Sequence, residues 1–234
     1  MGAIINSQRI RSRLGLAMPA LVEAFGRVKR SERFSELYKD YLVLQHGIIR
    51  ASVPLMEEAL KCSREMADDP LSPYLQQYLE RHIPEEHNHD DWVLGDLEVL
   101  GVDRREVLAR RPPPAVAAMV GTQYYWIRHF HPVALLGYIA ILEGYPPTLE
   151  GLEELVALSG LPRDAFRTLE KHIRIDPFHC QDLNALFDRA PLTEEHISTI
   201  CVSGMTAVRF ASEVYGSLVP EAADETRPRV GQEA

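Results

Sequence analysis

The stretch HPVALLGYIAILEG, residues 131–144, carries no charged side chain between Pro132 and Leu142 and then meets a glutamate, Glu143. A helix that is apolar on every side has to be enclosed by other elements. The chain around it also reads as helical, because apolar residues recur at spacings of three and four along most of its length and no alternating strand pattern lasts. The sequence therefore predicts an all-α bundle with this helix buried inside it.

Turn-forming motifs rich in proline and glycine divide the chain into helical segments. We expect seven main helices, over residues 8–30, 33–66, 71–100, 113–144, 148–160, 162–175 and 193–217, and a shorter one over 177–189. In PLTEEH, Thr193 is the expected N-cap of the last helix, with two glutamates in the first turn. Helices of 25 to 30 residues are typical of a bundle whose interior can hold a ligand or a metal.

The domain organisation is simple, since no internal repeat and no long linker divides the chain. We expect a single helical domain over residues 1–218. The last stretch, over residues 219–234, is polar and aperiodic and is expected to be a disordered tail.

Composition and charge narrow the function classes. Apolar residues make up 46% and charged residues 25% of the 234, an ordinary balance for a globular protein. The net charge of −9 argues against nucleic acid or an anionic membrane as partner. Cys62, Cys180 and Cys201 form no CxxC pattern, so neither a disulfide framework nor a structural zinc site is indicated. With no apolar run of membrane-spanning length and no secretory signal pattern, we expect a cytoplasmic protein.

The segment HIPEEHNHDDW, residues 82–92, places four chemically active side chains on an otherwise apolar helical face. His82, Glu85, Glu86 and His89 follow each other at i, i+3, i+4 and i+7. The spacing of Glu86 and His89 is the Glu-x-x-His pattern by which di-iron bundles aim two ligands inward. The pattern is common by chance, so a solvated surface is the alternative.

The segment HIRIDPFH, residues 172–179, gathers His172, Asp176 and His179 within eight residues. The first two share a helical face, and Pro177 is expected to break that helix and to begin the next, with Asp176 as its cap. His179 would then return towards the same point. The alternative is two unrelated histidines and an ordinary cap.

Glu143 is a lone carboxylate at the end of the charge-free helix. It has to be paired, capped or metal-bound if it is buried, or it faces solvent ahead of Pro146. The three segments together offer six candidate metal ligands, namely Glu86, His89, Glu143, His172, Asp176 and His179. Imidazoles and carboxylates without a thiolate favour iron or manganese over zinc or a cluster. Six protein ligands shared by two ions would leave open coordination positions for chemistry.

The order of these motifs resembles a known family, the heme-oxygenase-like di-iron oxidases and oxygenases. The motifs are E-x-x-H, a lone glutamate 54 residues after His89, and H-x-x-x-D-x-x-H. The segments HNHDDWVLGDLEVLG, HPVALLGYIAILEG and HIRIDPFHCQDL carry the likeness, which covers roughly residues 30–215. The resemblance implies the seven-helix fold shared by heme oxygenase and the TenA and PqqC proteins. It also implies two non-heme irons, with manganese as an option in one position.

Some members of that family take the first carboxylate seven residues before the histidine, and here that position is His82. The resemblance therefore favours Glu86 as the ligand, with His82 as its neighbour or as an unusual ligand and Glu85 as the remaining candidate. It implies O2 as co-substrate and the oxidation of a small carboxylate- or amine-bearing metabolite. The outcomes in the family are oxidative decarboxylation, desaturation or fragmentation, and N-oxygenation. An external electron donor and a homodimer are further options.

A substrate pocket is expected between the ligand-bearing helices and the first long helix. Its candidate residues are His46 and Arg50, with Arg50 suited to a substrate carboxylate, and Tyr124 and Tyr125, which could equally belong to the core. Two other functions stay open on the same fold. One is a metal-free enzyme of the PqqC or TenA type, and the other is a non-catalytic protein that carries a ligand.

Overall fold

A computed structural model describes residues 5–219, and every regular element within this range is helical. The α-helices are α1 (Asn6–Gly15), α2 (Met18–Lys29), α3 (Phe34–Ile49), α4 (Ser52–Glu65), α5 (Ser72–Glu86), α6 (His89–Val99), α7 (Arg104–Ala109), α8 (Pro114–His129), α9 (Leu135–Leu142), α10 (Leu149–Ser159), α11 (Arg167–Arg189) and α12 (Glu194–Gly216). Short 3₁₀ turns precede α9 and α11. The all-α class is as predicted. Residues 220–234 of the predicted tail lie outside the described residues.

The helices are shorter and more numerous than the sequence predicted. The four long segments each divide into two helices, and α7 was not foreseen. Between α5 and α6 the break is at Asn88, whose φ of 68° is left-handed. Apolar spacing continues across such corners because both helices turn their apolar faces to the same core. Periodicity therefore detects the buried face but not the corner.

The predicted break at Pro177 is wrong. Pro177 lies inside α11, which runs without interruption over 23 residues, so Asp176 is not a helix cap. A proline inside a helix forfeits one backbone hydrogen bond, and packing of the buried face of α11 outweighs that loss. The consequence for the site is direct. His172, Asp176 and His179 stand at i, i+4 and i+7 on one helix and therefore share one face.

The predicted burial of the charge-free helix is confirmed, since every residue from Leu135 to Ile141 in α9 is buried. Gly137 allows α9 to touch α12 backbone to backbone. A Cβ atom at that position would lie 2.0 Å from the carbonyl oxygen of Ile200. The close contact places the end of α9, and with it Glu143, in the interior of the bundle.

The start of α12 forms as predicted. Thr193 accepts a hydrogen bond from the backbone N–H of His196 at 3.2 Å, and the His196 ring accepts one from the Thr193 N–H at 3.3 Å. Histidine thus takes the place of the usual glutamate in this capping box. Among the described helices, none is long and apolar enough to cross a membrane.

Candidate metal centre

Four elements bring seven histidine and acidic side chains together in the interior. They are His82 and Glu86 from α5, His89 from α6, Glu143 directly after α9, and His172, Asp176 and His179 from α11. All are buried except His172, which is partly buried. Each lies on the inward face of its helix. The six candidate ligands predicted from the sequence thus belong to one cluster, and His82 joins them.

Four members of the cluster form a compact group that could hold a metal ion. His82, Glu86, Glu143 and His179 each offer one ligand atom, and these atoms lie within 4.8 Å of one another. The Nε2 atom of His82 is 3.0 Å from Oε2 of Glu143. The Nδ1 atom of His179 is 3.4 Å from both Oε1 of Glu86 and Oε2 of Glu143. Two carboxylates and two imidazoles therefore face a common point.

His89 and His172 lie on the far side of Glu86, and Asp176 lies next to His179. The Oε2 atom of Glu86 is 3.0 Å from Nδ1 of His89, while its Oε1 atom faces His179. The rings of His89 and His172 are 5.1 Å apart, centroid to centroid. The Oδ1 atom of Asp176 is 4.0 Å from Nδ1 of His179. Glu86 thus stands between two groups of histidines and turns one oxygen towards each.

Glu85 lies behind the cluster and is partly exposed. Its carboxylate is 3.5 Å from Nδ1 of His82 and 3.7 Å from Nε2 of His179. These contacts leave the other ring nitrogen of each histidine to face Glu143. A carboxylate behind a histidine orients the ring in this way at many metal sites.

Several buried polar atoms of the cluster make no well-directed hydrogen bond, although two of them, Nδ1 of His89 and Oε2 of Glu143, lie 3.0 Å from an oppositely charged group. They are Oε1 of Glu86, Nδ1 of His89, Oε2 of Glu143, Oδ1 of Asp176 and Nδ1 of His179. Buried polar atoms are almost always satisfied in folded proteins, so five exceptions in one cluster require an explanation. Cations bound among these residues would satisfy such atoms. The residues present therefore fit a metal.

The electrostatics of the cluster point the same way. Burial raises the pKa of Asp176 to about 8, and the charges of Glu143 and Glu86 add to the shift. Burial also raises the pKa of Glu143. Burial lowers the pKa of His82, but contact with Glu143 outweighs this effect and brings it to about 9. Burial opposes the ionisation of Glu86 as well, but contacts with His89 and the other histidines lower its pKa. The penalty therefore falls on Asp176 and Glu143, and divalent ions would supply positive charge that favours the ionised form of both.

A cavity of about 470 Å³ reaches the cluster at Glu86, Glu143, His172 and Asp176. Its walls come from α2, α3, α6, α9 to α11 and the end of α12, and they are largely aliphatic and aromatic. Cavities of this size and character hold small molecules. The arrangement is a buried acid and histidine cluster at the side of an apolar chamber.

The pocket residues expected from the sequence lie away from the chamber beside the cluster. His46, Arg50 and Tyr124 line a different cavity, of about 830 Å³, and Tyr125 is 64% exposed. The two cavities differ in the face of α3 that lines them. Helix α3 turns positions 38, 41, 42, 45, 48 and 49 to the chamber beside the cluster, while His46 and Arg50 lie on the adjoining face.

Sequence reasoning missed the polar residue that lines the chamber beside α11. Asp96 is 1% exposed and lies on the buried face of α6, seven residues after His89. The signal was available, because a carboxylate at i+7 from a candidate ligand shares its face. The aromatic residues Phe25, Tyr41 and Tyr215, which also line the chamber, gave no such signal.

A family model described as "Iron-containing redox enzyme" matches residues 71–211, a range that contains every candidate ligand. A search of curated protein sequences finds no match to the chain.

Solved structures resemble the whole bundle. One is a domain of unknown function with a heme oxygenase-like fold from Shewanella denitrificans OS217, with a TM-score of 0.78 and 17% identity over 92% of this chain and 93% of that one. Another is a TenA homologue from Pseudomonas syringae pv. tomato DC3000, with a TM-score of 0.67 and 12% identity over 91% of each chain.

Identities this low show the fold alone, and they confirm the predicted heme-oxygenase-like class, although the helices outnumber the expected seven. The family match covers more than half of the chain and includes the buried histidine and carboxylate cluster. The chain therefore belongs to the family of iron-containing redox enzymes.

Proposed function

We propose that this protein is a non-heme di-iron enzyme that uses O2 to oxidise a small molecule held in the chamber. The observation that carries the proposal is the buried cluster itself. Seven imidazole and carboxylate side chains converge there, five of their buried polar atoms make no well-directed hydrogen bond, and the apolar chamber opens onto them. Mixed nitrogen and oxygen ligands without thiolates suit iron.

The proposed ligands are the six predicted from the sequence, Glu86, His89, Glu143, His172, Asp176 and His179. Glu86 would hold metal between the two groups of histidines, because one of its oxygens faces His89 and the other faces His179. His82 is a seventh proposed donor, since its Nε2 atom faces Glu143 while its Nδ1 atom faces Glu85. Glu85 orients the two rings from behind.

The protein residues supply the setting for the reaction. When bound, two ferrous ions would provide electrons for the reduction of dioxygen. The three carboxylates would balance most of the charge of the two ions. The aliphatic and aromatic walls of the chamber would keep water away from the site. The reaction class is oxidative decarboxylation, desaturation or fragmentation, or N-oxygenation, with an external electron donor where the balance of electrons requires one.

A metal-free enzyme of the TenA type is supported less well. Such an enzyme needs a nucleophilic thiol or an organised basic pocket, and among the described residues that line the chamber none is a cysteine or an arginine. The thiol of Cys180 instead accepts a hydrogen bond from Arg11 at 2.8 Å. A metal-free role would also leave the unpartnered atoms of the cluster unexplained.

The test is reconstitution with Fe(II) in the absence of oxygen, followed by metal analysis and oxygen uptake. We expect about two irons per chain, as in other di-iron bundles. His172→Ala and Glu143→Gln should each lower iron content and abolish oxygen uptake. The matched controls, His129→Ala and Glu150→Gln, alter exposed residues and should leave both unchanged. Iron content indifferent to the site variants would sink the proposal.

A further inference from the structure

Asp96 is a buried carboxylate that the proposed metal ligands do not include. Its Oδ2 atom accepts a hydrogen bond from the backbone N–H of Thr168 at 3.0 Å, which caps the start of α11. Its Oδ1 atom is buried and has no hydrogen-bond partner. Asp96 also lines the chamber. The cap therefore explains one of the two oxygens, and the other is left for a ligand.

Among the described acidic residues that line the chamber, Asp96 is the one that is neither a proposed metal ligand nor part of an ion pair. Burial raises the pKa of Asp96, and hydrogen bonds from Thr168 and Arg167 together with the Arg167 charge offset only part of this rise. Glu86, Glu143 and Asp176 are proposed metal ligands, and Glu154 forms an ion pair with Lys29 at 2.9 Å. Among the described lining residues none is an arginine, and the single lysine is the one paired with Glu154. In the protein without metal, a substrate carboxylate would find no free cation among these residues, whereas a cationic group would find Asp96.

Aromatic rings favour the same kind of ligand. Phe25, Tyr38, Tyr41 and Tyr215 line the chamber as a connected cluster, with neighbouring ring centroids 5.1 to 5.8 Å apart. Burial raises the pKa of Tyr38, and the nearby Tyr41 and Asp96 add to the shift. The Tyr38 ring is therefore close enough to Asp96 to feel its charge. Aromatic faces attract ammonium groups, which adds to the attraction of the carboxylate.

The position of Asp96 suits a substrate contact near the metal. Asp96 accepts a hydrogen bond from the backbone N–H of Thr168. The carbonyl oxygen of Thr168 lies 2.7 Å from Nδ1 of His172, which is one helical turn further along α11. One turn is about 5.4 Å along the helix axis. A group bound at Asp96 would therefore lie close to the metal cluster without being a ligand to it.

We propose that Asp96 binds the ammonium group of a substrate with an apolar or aromatic body, and so selects amines over carboxylic acids. The contact holds the nitrogen at Oδ1 and leaves the body of the molecule to extend through the chamber towards His172. The inference rests on the proposed function for the reaction, but the binding preference does not depend on iron or oxygen.

The test uses three probes with one aromatic body, 2-phenylethylamine, 2-phenylethanol and 3-phenylpropanoate. Their binding to the full chain is measured by calorimetry, with and without anaerobic Fe(II). We expect the amine to bind about tenfold more tightly than the alcohol, the scale of a charge-assisted hydrogen bond, and the acid to bind most weakly. Asp96→Asn should remove the tenfold advantage of the amine and leave binding of the alcohol unchanged.

The variant is designed to spare the fold, because the asparagine oxygen can still accept the Thr168 N–H. Asp91→Asn, an exposed change of equal charge on the same helix, is the control and should bind all three probes as wild type does. Tighter binding of the acid than of the amine by the wild type without metal would overturn the inference, whatever the variant does. So would undiminished amine binding by Asp96→Asn. Iron content, measured separately, reports on the proposed function alone.

Discussion

At the residue scale, the protonation of Asp176 makes the stability of the metal-free protein depend on pH. A pKa of about 8 for Asp176 means that the folded metal-free protein keeps this carboxyl group protonated where an unfolded chain would ionise it. Below about pH 4 the carboxyl group is protonated in both the folded and the unfolded chain, so it does not lower the free energy of unfolding. As the pH rises, the loss of unfolding free energy grows, and it reaches its full value above about pH 8. Stability of the metal-free protein should fall across that window.

Asp176→Asn removes this loss, because an amide does not ionise. We expect the variant, prepared without metal, to melt at a higher temperature than wild type at pH 8, with the difference shrinking towards zero near pH 4. Thermal unfolding in chelator at a series of pH values measures it. Asp68→Asn, at an exposed site, is the control and should show no such trend. A constant difference at every pH would contradict the buried, protonated state of Asp176.

At the scale of the element, α9 carries Glu143 into the interior only because Gly137 lets it touch α12. A Cβ atom at Gly137 would meet the backbone of Ile200 at 2.0 Å and that of Gly204 at 2.7 Å. Neither neighbour is a flexible side-chain end, so one helix would have to move. The same displacement would shift Glu143, which lies six residues further on, away from the histidines.

Gly137→Ala should therefore destabilise the protein by about 3 kcal/mol or more, in the range of severe overpacking. Gly121→Ala is the matched control, since the added methyl group meets nothing within 4 Å on helix α8. That change should stabilise by up to about 1 kcal/mol through helix propensity. Urea unfolding of both variants without metal gives the comparison. Equal stability of the two variants would show that α9 and α12 are not in backbone contact.

The elements also show what the sequence could and could not reveal. The inward-facing polar residues could be predicted from the sequence, because Glu86, His89 and Glu143 each interrupt an apolar helical face. The corner at Asn88 was not, since apolar spacing continues through it. Pro177 was misread because a local rule was applied where tertiary packing decides. The expected pocket residues stay a prediction, because His46 lies on a face of α3 that adjoins the face lining the chamber. A sequence alone does not say which face of a helix meets which cavity.

At the scale of the whole molecule, the cluster links parts of the chain that are far apart in sequence. His82 and His179 are separated by 97 residues, yet both lie within 3.7 Å of Glu85. A metal ion bound among α5, α6, α9 and α11 would fasten four helices at one point. Because the unfolded chain does not present this arrangement, metal binding should appear as added folding stability.

Binding to the folded state alone stabilises a protein by about 2.7 kcal/mol when the free metal is at 100 times its dissociation constant. We expect the wild-type melting temperature to rise with added Fe(II) under nitrogen, and to rise further with each increase in concentration. Glu143→Gln should lose most of this rise, and Glu150→Gln should keep it. The rise should also shrink as the pH falls from 8 to 5, because protons then compete with the metal for Asp176 and the histidines. A melting temperature that ignores Fe(II), or a rise that survives in Glu143→Gln, would place the metal elsewhere and leave the unpartnered atoms of the cluster to another ligand.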